Sequence, residues 1–313
     1  MAFELKKRER VPKGVRRIVC KRIDRAMELV RPKNRRNNGA KNRAAVSDHA
    51  VHEVRKRFKE IRGTLRLVRD ELGEEDFRRE NRTFRDAGRP LSEVRDAKVL
   101  VDSLDGLIEH FNGRVKPQSA SRLRRALVAR RRATRQQVLE RGRAVADIAR
   151  SIRAAKKRVK SWALERNGWK ALQGGLRKVY RQARRAMQRA TSDPSDANLH
   201  EWRKRTKDLR YELELLCAVW PEMIGPMVEQ AHHLTDLLGD DHDLSVLRVI
   251  AAQECAENGS PDENELLFAL IDERRQSLQK EANELGRKLY EERPADFVAR
   301  LHGYWKTSRR AAA

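Results

Sequence analysis

The sequence predicts an all-α protein built from two tandem copies of one helical unit, and three observations support this fold class. Aromatic residues make up 5% of the chain and charged residues 37%, and runs of β-branched residues are few, which is typical of helical proteins. Apolar residues recur at i, i+3, i+4 and i+7, the spacing of an amphipathic helix. A segment that begins at His52 is written again, with small changes, from His200.

The first predicted helix begins at Pro12, whose missing N–H is not needed in a first helical turn, and extends to about Val30. Pro32 ends it. The basic arm that precedes this helix, residues 1–11, is expected to be frayed. The segment 31–43 combines asparagines, a glycine and several cations, and it therefore indicates a basic loop.

The second predicted helix is capped by Ser47 or Asp48 and extends to about Leu72, where Gly73 stops it. Its acidic residues fall on the outer side, and two neighbouring stripes share the helical spacing. The apolar stripe contains Val51, Val54, Phe58, Ile61, Leu65 and Val68. The cationic stripe, one residue later, contains His52, Arg55, Lys59, Arg62, Arg66 and Arg69. This sorting places a basic face directly beside the buried face.

Three helix-forming regions follow in the first half, each delimited by breaking residues. A short helix over 75–87 is closed by the glycine and proline of segment 88–90, and another helix covers 91–111. A long helix-forming region over 119–164 has a weak point at Arg141-Gly142 and an arginine-rich polar face. The first half is therefore expected to contain about four helices.

The second half of the chain follows the first half element by element, which indicates an internal duplication. The segment from His200 repeats the sorted helix, and residues 238–243 correspond to residues 91–96. Asp243 therefore corresponds to Asp96. The cations of the second stripe are His200, Arg203, Lys207 and Arg210.

This duplication predicts the domain organisation. We expect a basic arm over 1–11, a first repeat over 12–165, a second repeat over 166–306 and a tail over 307–313. Each repeat is predicted to resemble a four-helix bundle, and the two are predicted to pack about a pseudo-two-fold axis. That axis would bring the two cationic stripes towards one basic central groove or pore.

The charge of the chain predicts its kind of partner. The net charge is +25, and it is unevenly distributed. Residues 1–160 carry 47 Lys and Arg against 21 Asp and Glu, a net charge of +26, whereas residues 161–313 carry 24 against 25, a net charge of −1. A surface of one sign concentrates ligands of the opposite sign. The sequence therefore predicts a polyanionic partner.

The apolar residues indicate where the protein works. No apolar run approaches the ~20 residues of a membrane span, and Met1–Arg10 lacks the apolar segment of a signal peptide. The three cysteines have no spacing that a disulfide framework or a zinc site needs. We therefore expect a cytoplasmic protein that does not enter the membrane.

Three histidine-containing segments are candidates for a metal site. The His-Glu pairs at His52 and His200 lack the second histidine of a zinc-protease motif, because Lys56 and Lys204 stand at that position. The segment 232–243 ends in a His-Asp pair of the kind that metal-dependent phosphohydrolases use. In the first half, however, the corresponding pair begins with Arg95. We expect no metal, no cofactor and no catalytic residues, and a phosphohydrolase is the least favoured alternative.

A structural role fits both aspartates of the repeat better than metal binding. Asp96 and Asp243 are predicted to pair with a basic residue or a helix end and so to orient the cationic stripes. Nucleic acid is the second candidate partner, because the arginine-rich segment 121–135 could neutralise its phosphates. Asn, Gln and exposed aromatic residues are not interleaved with the cations, so the features that read bases are absent from the sequence.

At the duplicated motif the sequence resembles the CHAD domain (conserved histidine α-helical domain) family. The resemblance rests on His52-Glu53-x-Arg55-Lys56-x-x-Lys59-x-x-Arg62, its second copy, the segment Leu238–Leu244 and the closing Tyr304-Trp305. It implies an all-helical protein that binds inorganic polyphosphate through a basic central groove or pore and associates with polyphosphate granules. The site residues that it implies are Arg16, Arg17, His52, Arg55, Lys56, Lys59, Arg62, Arg177, Lys178, His200, Arg203, Lys204, Lys207 and Arg210. The spacing of the stripe adds Arg66.

The sequence departs from one arrangement that is common in this family. CHAD domains often follow a catalytic triphosphate-tunnel domain, which is recognised by a Glu-x-Glu-x-Lys motif near its start. Here Phe3-Glu4-Leu5-Lys6 contains one glutamate. We therefore expect a stand-alone, non-catalytic CHAD protein.

Overall fold

The computed structural model describes residues 3–31, 46–112, 114, 117–141, 143–258 and 261–310, and these residues contain helices and no strands. The prediction of an all-α fold is confirmed. None of the helices in these ranges combines the length and the apolarity that crossing a bilayer requires. The helices are α1 (Val11–Val30), α2 (Asp48–Leu67), α3 (Arg69–Leu72), α4 (Glu74–His110), α5 (Pro117–Arg135), α6 (Ala144–Val159), α7 (Gln173–Ser192), α8 (Asp196–Leu216), α9 (Pro221–Asn258), α10 (Pro261–Leu289) and α11 (Pro294–Arg310).

The helices pack in two groups that meet along α2 and α8. In the first half α2 packs against α1 and α4, and α4 also contacts α5 and α6. In the second half α8 packs against α7 and α9, and α9 packs against α10. Across the two halves α2 contacts α8 and α4 contacts α9. One continuous apolar core runs through both groups. The pseudo-two-fold relation between the repeats and the domain boundaries stay predictions.

The separation of apolar, cationic and acidic residues onto different faces of α2 determines how this helix packs. Ser47 caps it, because its hydroxyl oxygen accepts a hydrogen bond from the Ala50 backbone N–H at 3.1 Å. Val54, Ile61 and Leu65 are completely buried in the core. The helix ends at Leu67, and the expected extension to residue 72 is the separate turn α3. The apolar stripe therefore fixes which way the neighbouring cationic stripe faces.

Helix α4 corrects one prediction, because it is a single helix in which Pro90 lies inside. We expected two helices separated by the segment 88–90. Proline within a helix removes one backbone hydrogen bond and costs about 3 kcal/mol. The apolar contacts of Phe84, Leu91 and Val94, all buried, outweigh that cost and hold both halves of α4 in line. Tertiary packing has overridden the local signal.

The N-terminal arm is also more ordered than predicted. The Leu5 side chain is buried, and its backbone N–H donates to the Leu215 carbonyl oxygen at 2.9 Å. The Phe3 ring meets the Tyr211 ring edge-on, with 6.3 Å between centroids. The two apolar residues of the arm therefore cover the end of α8, and the prediction of a frayed arm is wrong for residues 3–10.

The long helix-forming region of the first half divides near its predicted weak point. A π-helical segment, Gln136–Arg141, follows α5, and α6 begins at Ala144. The prediction of a break there is confirmed, although Gly142 itself lies outside the described residues. Most of the predicted basic loop, residues 32–43, also lies outside them.

Two glycines allow neighbouring helices to approach α2 closely. At Gly63 a Cβ atom would lie 2.6 Å from the Tyr211 Cβ, so α2 and α8 cross at this residue. At Gly175 a Cβ atom would lie 2.2 Å from the Leu67 carbonyl oxygen, so α7 reaches the C-terminal end of α2. The absence of these side chains therefore sets the spacing of the helices that carry the cationic stripes.

Replacing Gly175 with alanine should lower the free energy of unfolding by about 2 kcal/mol, because a methyl group would be forced against backbone that cannot yield locally. Urea unfolding followed by circular dichroism measures this change. The control is Gly303→Ala in α11, where a Cβ atom meets nothing within 4 Å. That variant should be slightly more stable than the parent, because alanine favours helices. Equal stability of both variants would contradict the assigned close contact.

Candidate functional site

Helices α2, α4 and α8 bring together five cations, which we name the central cationic cluster. Lys59 of α2 lies close enough to Arg203 of α8 for the two charges to interact, and Lys207 of α8 interacts with Lys59. Arg95 of α4 interacts with both lysines. The members of the cluster are Arg55, Lys59, Arg95, Arg203 and Lys207. The structure therefore joins positions from both copies of the repeated motif.

Two aspartates lie beside the arginines of the cluster. The Arg55 Nη1 atom is 3.6 Å from the Asp96 Oδ1 atom. The Arg95 Nη1 atom lies 3.7 Å from the same oxygen and 3.7 Å from the Asp243 Oδ2 atom. Arg95 therefore stands between an aspartate of each half of the chain. These distances permit electrostatic attraction but are too long for strong hydrogen bonds. The orienting role of Asp96 and Asp243 stays a prediction.

The lysines of the cluster are poorly solvated and lack acceptors. Burial and the neighbouring arginines, Arg55 first, lower the pKa of Lys59 to about 7. Burial and the charge of Lys59 likewise hold the pKa of Lys207 well below its usual value. Among the described residues, no acceptor lies within hydrogen-bonding distance of either ammonium group. Excess positive charge is thus concentrated in a place where water screens it weakly.

Two arginines of the cluster have buried N–H donors without an acceptor in the described chain, which also indicates a site for an anion. The Arg55 Nη1 and Arg203 Nε atoms are buried and have no hydrogen-bond acceptor within the described part of the protein. Burial lowers the pKa of both arginines, although neighbouring aspartates partly oppose this. A buried donor without an acceptor carries a desolvation cost of about 1–3 kcal/mol. An anion bound beside these two arginines would remove that cost.

Arg95 separates two surface cavities. The larger, about 530 Å³, lies between α4 and α9 and is lined by Asp240, Asp243 and Arg274 in addition to Arg95. The smaller, about 300 Å³, lies at the start of α2 and is lined by His52 and Arg95 among others. Of the five cations of the cluster, Arg95 is the one that lines these two cavities.

The histidines of the motif lie three residues before Arg55 and Arg203 on their helices. Burial, followed by neighbouring cations, lowers the pKa of His52. Burial and the proximity of His242 lower the pKa of His200, and the centroids of these two rings are 4.4 Å apart. Both motif histidines therefore lose their proton more readily than an ordinary imidazole. A neutral imidazole can donate one N–H to a phosphate oxygen.

Several other cations of the two motifs already have partners. The Arg62 Nε atom donates to the Asn81 Oδ1 atom at 2.9 Å, and burial and Arg66 lower the Arg62 pKa to about 10. The other ion pairs are Arg66 Nε to Asp208 Oδ2 at 3.1 Å, Arg210 Nε to Glu214 Oε1 at 3.1 Å, and Lys204 with Glu201. Lys56 is half-buried on α2. The motif thus contributes both the cluster and the ion pairs around it.

The flanking arginines and lysine implied by the family resemblance lie elsewhere. The Arg16 Nη2 atom donates to the Trp162 carbonyl oxygen at 2.5 Å. The Arg17 Nη2 atom pairs with the Glu9 Oε2 atom at 2.6 Å. Arg177 is exposed on α7 and Lys178 is half-buried. No described contact joins these four residues to the cluster, and their role in binding stays a prediction.

The acidic and histidine residues of α9 form pairs at the surface. The His232 Nδ1 atom lies 2.7 Å from the Asp236 Oδ2 atom, and the His233 Nε2 atom lies 3.0 Å from the Glu281 Oε1 atom. Asp241 is buried and accepts from Arg275 Nε at 3.0 Å. Within the described ranges, no three His, Cys, Asp or Glu side chains are grouped in a way that could hold a metal ion.

Sequence reasoning missed Arg95 as a site residue. The repeat aligns it with His242, so it was weighed only as evidence against a metal site. Its position one residue before Asp96 and one turn after Leu91, on a helix that packs against α2, was a usable signal. A continuous α4 would have shown that Arg95 faces the α2 stripe.

Comparison with known proteins identifies the family. The family model described as the CHAD domain matches residues 17–252. Among solved structures, the chain resembles PptA from Streptomyces chartreusis, with 16% identity, a TM-score of 0.61 and coverage of 90% of this chain and 98% of the other. It also resembles the CHAD domain from the plant Ricinus communis, with 16% identity, a TM-score of 0.58 and coverage of 98% and 95%. No curated protein sequence matches the chain. The two structural matches share its fold, and the family match shows that the chain belongs to the CHAD domain family.

Proposed function

We propose that this protein binds inorganic polyphosphate at the central cationic cluster and does not hydrolyse it. The observation that carries the proposal is the convergence of five cations from α2, α4 and α8 beside two aspartates, with two lysines that lack acceptors. An assembly with this charge excess is stabilised by an anion that supplies several negative oxygens at once. Membership of the CHAD family supports the same ligand.

The spacing of the cations suits a linear chain of phosphates. Arg55 and Lys59 are one helical turn apart on α2, as are Arg203 and Lys207 on α8. Side chains at this spacing lie about 5–6 Å apart, so successive phosphate groups can each contact a cation from both helices. A phosphate chain carries no sugar or base, so it can enter a narrow groove and reach the half-buried lysines.

Several arginines of helix α5 are paired with acids, which weakens the case for nucleic acid as the ligand. Arg131 and Arg135 both bind Asp48, with N–O distances of 2.6 Å. Arg124 pairs with Asp105 at 2.8 Å. These ion pairs attach α5 to α2 and α4 and neutralise part of its charge. Nucleic acid therefore remains the second candidate, and its affinity is expected to be lower.

A titration of the protein with long-chain polyphosphate, duplex DNA and RNA tests this proposal. At matched phosphate concentration and near-physiological salt, we expect polyphosphate to bind at least about tenfold more tightly, because its unsubstituted phosphates can approach the half-buried cations of the cluster, whereas a duplex meets mainly the exposed charges. Binding to DNA that is as tight as binding to polyphosphate would favour the nucleic-acid alternative instead.

The same samples test the absence of catalysis. Incubation with polyphosphate or nucleoside triphosphates and Mg²⁺ or Mn²⁺ should release no phosphate. Metal-dependent release that is lost in His242→Ala would establish a phosphohydrolase in place of a binding protein. If the polyphosphate proposal holds, association with polyphosphate granules in the cell follows as its cellular consequence.

A further inference from the structure

The central cationic cluster contains two kinds of cation with different chemistry. The guanidinium groups of Arg55, Arg95 and Arg203 keep their charge at any ordinary pH. An amine such as Lys59 or Lys207 can lose its proton when it is removed from water and surrounded by like charge. Any relief of the repulsion inside the empty cluster must therefore come from the lysines.

The surroundings of Lys59 leave it without a free counterion. It faces Arg55 on its own helix, Arg95 and Asp96 on α4, and Arg203 on α8. Asp96 is already the neighbour of Arg55 and Arg95, at 3.6 and 3.7 Å. The charged or titratable residues near Lys59 on α2 also include Lys56 and His52, and burial lowers the pKa of His52.

Lys207 stands in a similar environment from the other side. It faces Lys59 on α2, Arg203 and Arg210 on α8, and Arg95 on α4. The aspartates nearest to Arg203 are Asp96, Asp240 and Asp243, and Asp243 also lies 3.7 Å from Arg95. All charges that contribute most strongly at Lys207 are positive.

We propose that the central cationic cluster takes up protons when it binds a phosphate chain, and that Lys59 and Lys207 are the groups that accept them. This inference rests on the proposed function and describes how that site is regulated. Lys59 and Lys207 each lie one turn before the residues at which α2 and α8 meet, Gly63 and Tyr211, so the two amines come from facing helices into one place. In the free protein this crowding of like charge, together with burial, favours loss of a proton from the pair. When phosphate oxygens enter, each neutral amine gains one proton from the buffer and becomes an ammonium group that donates to those oxygens.

The direction of the pH dependence follows from linkage. The free-site pKa of Lys59, about 7, rises towards its ordinary value when anions occupy the groove. The complex therefore binds more protons than the free components between about pH 7 and pH 10, so affinity falls as the pH rises through this window. Internal phosphates and arginines keep constant charge there. Histidines beside a bound anion contribute mainly near pH 7, so the change at pH 8 and above comes from the lysines. One proton taken up corresponds to about a tenfold loss of affinity per pH unit.

Isothermal titration calorimetry of the full chain with long-chain polyphosphate measures this uptake. At pH 8, in HEPES and in Tris, which differ in ionisation enthalpy, the difference in binding heat gives the number of protons exchanged. We expect about one to two protons per occupied groove, and a dissociation constant that rises about tenfold or more from pH 7.5 to 8.5. The double variant Lys59→Arg/Lys207→Arg keeps the charge but cannot change it, so its heat should be independent of the buffer.

The matched control is Lys280→Arg/Lys288→Arg, which changes two exposed lysines of α10. It should retain the proton uptake of the parent. Tight binding by the parent with no buffer-dependent heat would overturn this inference and leave the proposed function standing. The same holds if the Lys59/Lys207 variant keeps the parental uptake. Absence of binding at every pH would overturn the proposed function and this inference together.

A measurement on the free protein covers the case in which the arginine variant does not fold. Nuclear magnetic resonance of the lysine side-chain methylene groups follows each amine through its titration. Two lysines should titrate well below the ordinary lysine value, and addition of polyphosphate should shift both titrations upward. The assignments come from the single variants Lys59→Arg and Lys207→Arg. Uniform titration of every lysine near pH 10.5 would contradict the inference directly.

Discussion

Replacing Arg55, Arg95 and Arg203 with glutamine should weaken polyphosphate binding by at least about three orders of magnitude. Each charge-assisted hydrogen bond contributes roughly 1.5–3 kcal/mol, and 1.4 kcal/mol corresponds to a factor of ten in affinity. The three arginines come from three different helices, so the variant removes donors from every wall of the groove. Glutamine keeps a polar side chain of similar length, and the fold is therefore expected to survive.

The control for this experiment removes the same net charge from another surface. Arg82, Arg89 and Arg153 are exposed and lie on α4 and α6, away from the groove, and their conversion to glutamine should weaken binding by less than about fivefold. Fluorescence anisotropy at one fixed salt concentration compares the two triple variants. Equal losses would mean that the net charge of the protein, and not the cluster, determines binding.

The double variant Lys59→Met/Lys207→Met should make the protein more stable while it abolishes tight binding. Methionine has a similar length and helix propensity to lysine, and it removes two poorly solvated cations that repel their neighbours. We expect the free energy of unfolding at pH 7.5 to rise by roughly 1–3 kcal/mol. Chemical denaturation with urea gives this difference.

The pH dependence of stability provides a sharper version of that test. The pKa of Lys59 is lower in the folded protein than in the unfolded chain, so the unfolded chain binds more protons between about pH 7 and pH 10. The unfolding free energy of the parent should therefore increase as the pH rises from 7.5 to 9, and this slope should largely vanish in the methionine variant. Lys280→Met/Lys288→Met, on the exposed face of α10, should retain the parental slope. A destabilised Lys59/Lys207 variant would show that the two lysines contribute more to packing than they cost in repulsion.

Much of this fold could be predicted from sequence because its helices are strongly periodic. The spacing of Val54, Phe58 and Ile61 placed the core face of α2, and the cationic stripe beside it followed from the same periodicity. The break near residue 142 was visible as a glycine in a helix-forming region. The duplication of the motif indicated that two stripes would meet, and the structure places Lys59 beside Lys207.

The remaining features depend on tertiary contacts that no local pattern contains. Pro90 indicated a helix end, yet the burial of Phe84 and Leu91 keeps α4 continuous. Arg66 and Arg210 belong to the stripe by spacing, but acids from a neighbouring helix or the next turn pair with them. Periodicity places a cation on a helix face. It does not indicate which cations meet an acid there, and that difference separates ligand-binding cations from structural ones.

The close crossing of α2 and α8 at Gly63 determines how the distance between these two helices changes along their length. Two straight helices that cross at one point diverge on either side of it. Lys59 and Lys207 lie one turn from the crossing at Gly63 and Tyr211, Arg55 and Arg203 two turns, and the two motif histidines about three. The space between the two helices therefore widens from the lysines towards the histidines. If the cluster binds polyphosphate as proposed, we expect an unbranched chain of single phosphate groups to reach the lysines, whereas a polymer that carries a substituent on each phosphate should stop at the wider, histidine end.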